Sequence, residues 1–494
     1  MNTFRRIATT LSLFTLVSLS ACGGGGGGTS VAPPPPPPPP PTGGIGRNGV
    51  AIGTVSDFGS IFVNGVEYDT DAAAFTINGQ PGLQSDLDVG DVVIVKGTID
   101  DNGTTGTADT VMFDDLVKGP VDSINIPGNS LVVMGQTVFV TLDTSFDDSF
   151  SPASLEGVSL DQIVEVTGQF TDVSDIVATR IEPKPAGTQF EVHGTVSSLN
   201  NTNMLFNLRG LVVDFSSAII QDFPGGQITD GDFVEAKGMS IGGADELTAT
   251  IVELKSRVPG TEDGDRLEIE GFITRFVSAT DFDVDGMPVT TNGATVFTGG
   301  VAGDLGLNVK VEVEGDVDAN GLLTAEKVDI RRPKIIRIVA DVDSVDAANN
   351  TLVMLGITVS VDSLTRLEDK RSGASGQLNL ADIVPTDYVE ARGAVDPNAT
   401  VPAMLASVLE VDDADTRVIL QGLVETVGAS SYTVLGVTIN TDAQTTTFRD
   451  EFDVQITAAE FFARVAPDSL VKARGEEVPG TTLTADEVQF ELEF

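Results

Sequence analysis

Asp316, Asp318, Asn320 and Gly321, in the run DVDANGLLTAEK, stand at the offsets of an EF-hand calcium loop. Alternating oxygen ligands on such a loop suit a hard divalent cation. The twelfth position, which must supply a bidentate Glu, is Lys327, so the closing ligand is missing. Other acidic turns, DDNG at Asp100–Gly103, around Asp101, and DVDSVDAANN from Asp341, share no ligand spacing and read as solvated hairpin tips. No metal ligand and no cofactor is expected from these patterns. Nucleophilic chemistry is constrained as tightly. The chain has one histidine, His193, and one cysteine, Cys22, so a Ser-His-Asp or Cys-His arrangement would have to use His193. In FEVHGTV that residue alternates with apolar neighbours and reads as a solvent-facing strand position. Glycoside hydrolysis needs two carboxyl groups about 5–9.5 Å apart in a cleft. Among 73 Asp and Glu none stands apart from the repeat pattern described below, so no pair is singled out. Gly23–Gly28 has neither a strand before it nor a helix after it, as a phosphate loop requires. No catalytic residue is expected, and the chain reads as a non-enzyme.

The cysteine points elsewhere. MNTFRRIATTLSLFTLVSLSAC places Arg5 and Arg6 before an apolar stretch from Ile7 to Leu19, then small residues. That is the pattern of a secretory signal, too short and wrongly flanked for a membrane-spanning helix. Its end, Leu19-Ser20-Ala21-Cys22, resembles the lipobox of bacterial lipoproteins. The resemblance implies cleavage after residue 21 and lipidation of Cys22, with enough acyl chains for stable anchoring. Gly23 rather than Asp follows, which by the same resemblance favours the outer membrane. Residues 22–46 then form a tether, with six glycines as a joint and nine prolines, Pro33–Pro41, as a polyproline II rod. At about 3.1 Å per residue the rod spans roughly 28 Å.

Charge narrows the partners. A formal net charge of −45 repels nucleic acid and anionic lipid, and with no Trp and three Tyr, stacking platforms are scarce. The partners expected are the membrane, through the lipid anchor, and an envelope protein or polysaccharide, with no nucleic acid.

The elements that must position any site recur. A glycine sits inside an apolar strand pair at Gly65, Gly135, Gly210, Gly286, Gly356 and Gly436. Another closes a strand at Gly97, Gly168, Gly238, Gly315, Gly393 and Gly475, at spacings of 71, 70, 77, 78 and 82 residues. An alanine followed by an aliphatic residue three positions on is the third landmark, from Ala108/Val111 to Ala485/Val488. Three landmarks in one order make an internal repeat. In repeat four, Leu267, Ile269 and Ile273 alternate with polar residues, as do Val309, Val311 and Val313, which gives half-buried strands. Gly286 reads as a hairpin turn of positive φ, and the flip of parity between Ala325 and Val328 as a bulge.

The fold class expected is all-β: a tandem array of six small OB-like barrels following the signal peptide (1–21) and the tether (22–46). The repeats run 47–115, 116–184, 185–259, 260–333, 334–413 and 414–494. An open sandwich would satisfy the same alternation. A porin-like barrel is disfavoured by the 70-residue period and the frequent Gly and Asp turns. The quoted elements resemble those of a bacterial family known as domain of unknown function 5666, from residue 49 to 494. That resemblance implies a fold and no activity, catalytic residue or cofactor. Repeat five departs most, with Ala340 at the opening glycine and an insertion around EDKRSGASGQ.

Function is expected to be a lipid-anchored envelope array that binds or spaces, with short Pro-containing links stiffening it and repetition giving reach and multivalency. The alternative is a calcium- or polysaccharide-binding surface lipoprotein with one ligand site on a divergent repeat. Repeat five, with Lys370 and Arg371, is then the place to look.

Overall fold

The computed structural model describes residues 48–494 apart from 101–102, 243–245, 258–260, 262–263, 332–334, 363–364, 373–377, 397–402, 479–480 and 492–494. Cys22 and the stretches expected to be signal peptide (1–21) and tether (22–46) lie outside the described residues. The described residues belong to one compact unit. It is all-β, built of small closed five-stranded barrels in repeated units. Among the described residues the one α-helix is Ala458–Arg464, and no helix is long and apolar enough to cross a membrane.

Repeat four shows the plan. Arg266–Ser278 pairs with Asp281–Val284, which turns through Asp285 (φ 44°) and Gly286 (φ 82°) into Met287–Thr290. Two consecutive positive φ values make the tight turn that the right-handed strand twist favours. Met287–Thr290 then runs parallel to the closing strand Leu323–Arg331. Lys310–Val317 lies between the closing and the opening strand, antiparallel to both, and shuts the barrel. Leu267, Ile269, Ile273, Val311, Val313 and Val328 fill it, each at most 1% exposed. The same five pairings recur in each of the other repeats, the stretch 190–254 included.

The landmark glycine and alanine meet. Gly315 lies opposite Ala325, and the register slips between Glu314 and Gly315, so that Glu326 is the extra residue of a bulge. The same slip places Gly97 on Ala108, Gly393 on Ala406 and Gly475 on Ala485. A Cβ on Gly315 would fall 2.0 Å from the carbonyl oxygen of Thr324, and one on Gly475 2.0 Å from that of Thr484. The bulge brings backbone against backbone there, and only glycine fits.

The repeats do not follow one another as an extended array, and that expectation is corrected. Gly49–Ile52 of repeat one runs parallel to Arg266–Ile269 of repeat four. Lys118 and Val117 of repeat two pair with Glu191 and Val192 of repeat three, and Arg337–Val339 of repeat five with Ile419–Gln421 of repeat six. The cause is an open edge. The first half of each opening strand is paired on one side by its own barrel, and its other side is free until the first hairpin begins. Barrels satisfy that edge by docking in pairs. Repeat two also touches repeats one, four and five: Arg180 Nη1 donates to Val89 O at 3.2 Å, Gln169 Nε2 to Glu270 O at 3.1 Å, and Arg392 Nη1 reaches Leu142 O at 2.8 Å.

Candidate functional site

Docking leaves a cleft of about 790 Å³ lined by repeats one, two, four, five and six. Eight of the chain's 28 Lys and Arg line it, against eight of its 73 Asp and Glu. A strongly acidic chain has gathered a balanced set of charges in one interior place.

Repeat five supplies the densest part. The outward face of its barrel, which alternation makes polar, carries Arg337, Arg366, Lys370 and Arg392. Arg392 spans to repeat two, donating Nη1 to the carbonyls of Leu142 and Thr144 at 2.8 and 3.2 Å. Its Nη2 pairs with Glu410 and its Nε lies 3.2 Å from Glu390. Arg337 Nη2 holds the other oxygen of Glu390 at 2.8 Å. Ser407 Oγ donates to Asp143 Oδ1 at 2.6 Å, and Lys370 Nζ lies 3.4 Å from Asp148. Burial alone would raise the carboxyl of Glu410, yet Arg392, Lys370, Arg366 and Arg337 hold it down to about 2. Arg366 donates Nη1 to Asp143 O at 3.2 Å. Burial, then the like charge of Arg392, lowers its pKa.

The facing walls are paired more simply. In repeat four Lys310 lies 2.9 Å from Glu270, and Arg331 pairs with Glu312 and, at 2.8 Å, with Asp329. In repeat six Arg474 holds Glu487 at 2.7 Å. Chemically the cleft can orient a polar ligand through fixed cations, carboxylates and hydroxyls.

The residues singled out in the sequence fall in different places. Lys370 lines the cleft, while Arg371 beside it turns to Asp369 and stays half-buried. Asp318 is occupied by its own hairpin, accepting from the backbone N–H of Asn320 at 2.8 Å and of Leu322 at 3.0 Å. Lys327 lies 3.6 Å from Glu312. Among the described residues no group of three or more His, Cys, Asp or Glu is placed to hold a metal ion. His193 is not solvent-facing as its alternation suggests. It is 4% exposed, stacked on Phe233 at the seam of repeats two and three, with Nε2 3.9 Å from Glu235 Oε1. The outward face of one barrel is the inner face of a pair, and periodicity within one repeat cannot register the neighbour. The same blindness hid Arg337, Arg366 and Arg392. The one signal available was the rarity of basic residues in so acidic a chain.

A family model described as "Domain of unknown function (DUF5666)" matches residues 51–111, 118–182, 270–329, 341–404 and 421–489. No curated protein matches the chain.

Proposed function

Because the chain belongs to the DUF5666 family, whose description names no activity, we propose its function from its residues and geometry: it is a non-enzymatic binding protein of the bacterial envelope. Six OB-like barrels form its body, and lipidated Cys22 holds it at the outer membrane. The order of pairing, first strand to second, third, fifth, fourth and back to first, supports the OB-like reading. The lipobox-like Leu19-Ser20-Ala21-Cys22, in a chain with no other cysteine, supports the anchor. The observation that carries the binding role is the cleft, which collects eight of the 28 basic residues. Its ligand is a polar small molecule or a segment of polysaccharide or envelope protein, and nucleic acid is disfavoured by the net charge of −45. Close docking of the repeats favours one shared site over reach along an array.

Protease shaving of intact cells, with Cys22→Ala beside the wild type, tests the anchor and its side. The wild-type chain should fractionate with the outer membrane and the variant should leave it. Equal fractionation of the two would sink the lipoprotein reading. Native mass spectrometry of the chain taken from its own envelope tests the binding role, with a small-molecule adduct expected on the folded body.

A further inference from the structure

Arg366 breaks the repetition. It opens the short strand that runs parallel to the closing strand, opposite Val408. The equivalent positions in the other repeats hold Ala74, Ser145, Ile219, Val296 and Thr447, none of them charged. Arg366 is 5% exposed and lines the cleft. Its Nη1 is used by the carbonyl of Asp143, while Nε and Nη2 are buried with no hydrogen-bond partner among the described residues.

Those two nitrogens form one side of the guanidinium, the edge that takes both oxygens of a carboxylate or phosphate side-on. Nε is also buried without a hydrogen bond at Arg180, Arg331, Arg337 and Arg392, but there Nη2 is paired, and at two further arginines this chain fills the whole edge. Arg275 gives Nε and Nη2 to the two oxygens of Asp283 at 2.8 and 2.6 Å, and Arg266 gives both to Glu314 at 3.2 and 2.6 Å. Arg275 is half exposed, where an empty edge would cost little because water could serve it. At Arg366 the edge is empty where leaving it empty costs most. Of the carboxylates that act on it, Glu410 and Glu368 have Arg392 and Lys370 as nearer partners, and Asp143 accepts from Ser407.

We propose that the Nε/Nη2 edge of Arg366 receives an oxyanion, the carboxylate or phosphate of a small ligand held in the cleft. Arg392 and Lys370 raise the local positive potential, and Ser407 lies beside the same Asp143 loop. The inference rests on reading the cleft as the binding site and adds the class of ligand.

Calorimetric titration of the full chain with glucuronate, inorganic phosphate and glucose, at ionic strength fixed with NaCl, is the test. Saturable binding of glucuronate or of phosphate, none of glucose, and at least a tenfold loss in Arg366→Lys are expected. Lys keeps the charge and loses the fork, and the preferred anion distinguishes a carboxylate sugar from a phosphate source. Equal anion binding by the variant would overturn the assignment. Glucose binding without anion binding would overturn it while sparing the cleft reading, and no binding by any probe would sink both. If Arg366→Lys fails to fold, a crystal structure of the wild type grown in phosphate decides. Phosphate on Nε and Nη2 is the expected result, and an adventitious ion only, placed elsewhere, refutes it.

Discussion

Glu191 and Glu268 occupy the same place in their repeats, three residues before the opening glycines Gly194 and Gly271. Both are buried on the outward face of the opening strand, at 5% and 7% exposure, where two barrels dock. Their neighbours differ. Glu191 meets Lys118 of the partner barrel at 3.1 Å and Lys237 at 3.6 Å. Glu268 meets Ala51 across the seam and Glu314 across its own barrel. One seam answers its carboxylates with cations from both sides; at the other, Glu268 faces Glu312 and Glu314, opposed by Lys327 of its own barrel. A repeat thus fixes where a charge sits, while the docked partner decides what answers it.

The matched seam should break hardest. Lys118 holds Asp115 at 2.9 Å, Glu191 at 3.1 Å and Glu165 at 3.4 Å, and although burial would lower its pKa, the three acids raise it. Lys118→Met leaves three buried carboxylates around a missing charge and should cost about 3–5 kcal/mol at this seam. Hydrogen-exchange mass spectrometry of peptides covering 117–125 and 190–200 should show markedly faster exchange. Unchanged protection there would mean that the lysine is not what holds repeats two and three together.

Glutamine at the paired positions should act in opposite senses. Glu191→Gln removes an answered charge and should cost about 1–3 kcal/mol. Glu268→Gln should stabilise at pH 8. Burial, then Glu312 and Glu314, push the Glu268 carboxyl well above its ordinary value, so between the two values the folded state holds a proton that the unfolded chain has released. A group raised in this way contributes stability that is complete below about pH 4.5 and is lost as pH rises through the folded value. The variant's advantage at pH 8 should vanish near pH 4.5. Thermal unfolding of both variants at the two pH values would show it, and a loss from Glu268→Gln at pH 8 would contradict the unmatched seam.

Much of the barrel was legible in the chain and almost none of the docking. The flip of parity from Ala325 to Val328 announced a bulge, because that feature is local to one repeat, while the close backbone approach at Gly315 that goes with it was read only as the end of a strand. Gly286 announced its turn for the same reason. The parallel pairing of Gly49–Ile52 with Arg266–Ile269 depends on two edges more than 200 residues apart, and no periodicity within a repeat encodes it. The charges carry a trace of it. Between Asn48 and Asp115 the single basic residue is Lys96, so repeat one brings little to neutralise the glutamates of LEIEG and VEVEG. Arg366 was hidden for a second reason as well: the insertion in repeat five blurs the register of its short strand, and the strand's parallel partner lies some 40 residues on.

His193 offers the finest test of the matched seam. It packs on Phe233, and the charges acting on it are Glu235, Asp114, Lys255 and Glu191. Burial lowers its pKa; Glu235 opposes that, but Lys237 at 2.8 Å and Lys255 at 3.1 Å already neutralise Glu235. The imidazole is therefore held neutral in the fold, while in the unfolded chain it takes a proton below about pH 6.5. Stability is lost as pH falls from there toward the lowered value, by roughly 1.4 kcal/mol for each unit between the two. His193→Phe keeps a ring against Phe233 and has no proton to take, so its seam should lose less protection between pH 7.5 and pH 5 than the wild type does. Parallel losses in the two proteins would mean that the acid sensitivity belongs to the surrounding carboxylates. An even steeper loss in the variant would mean that Glu235 needs the imidazole as a cation, and that this seam is less completely answered by its lysines than its distances imply.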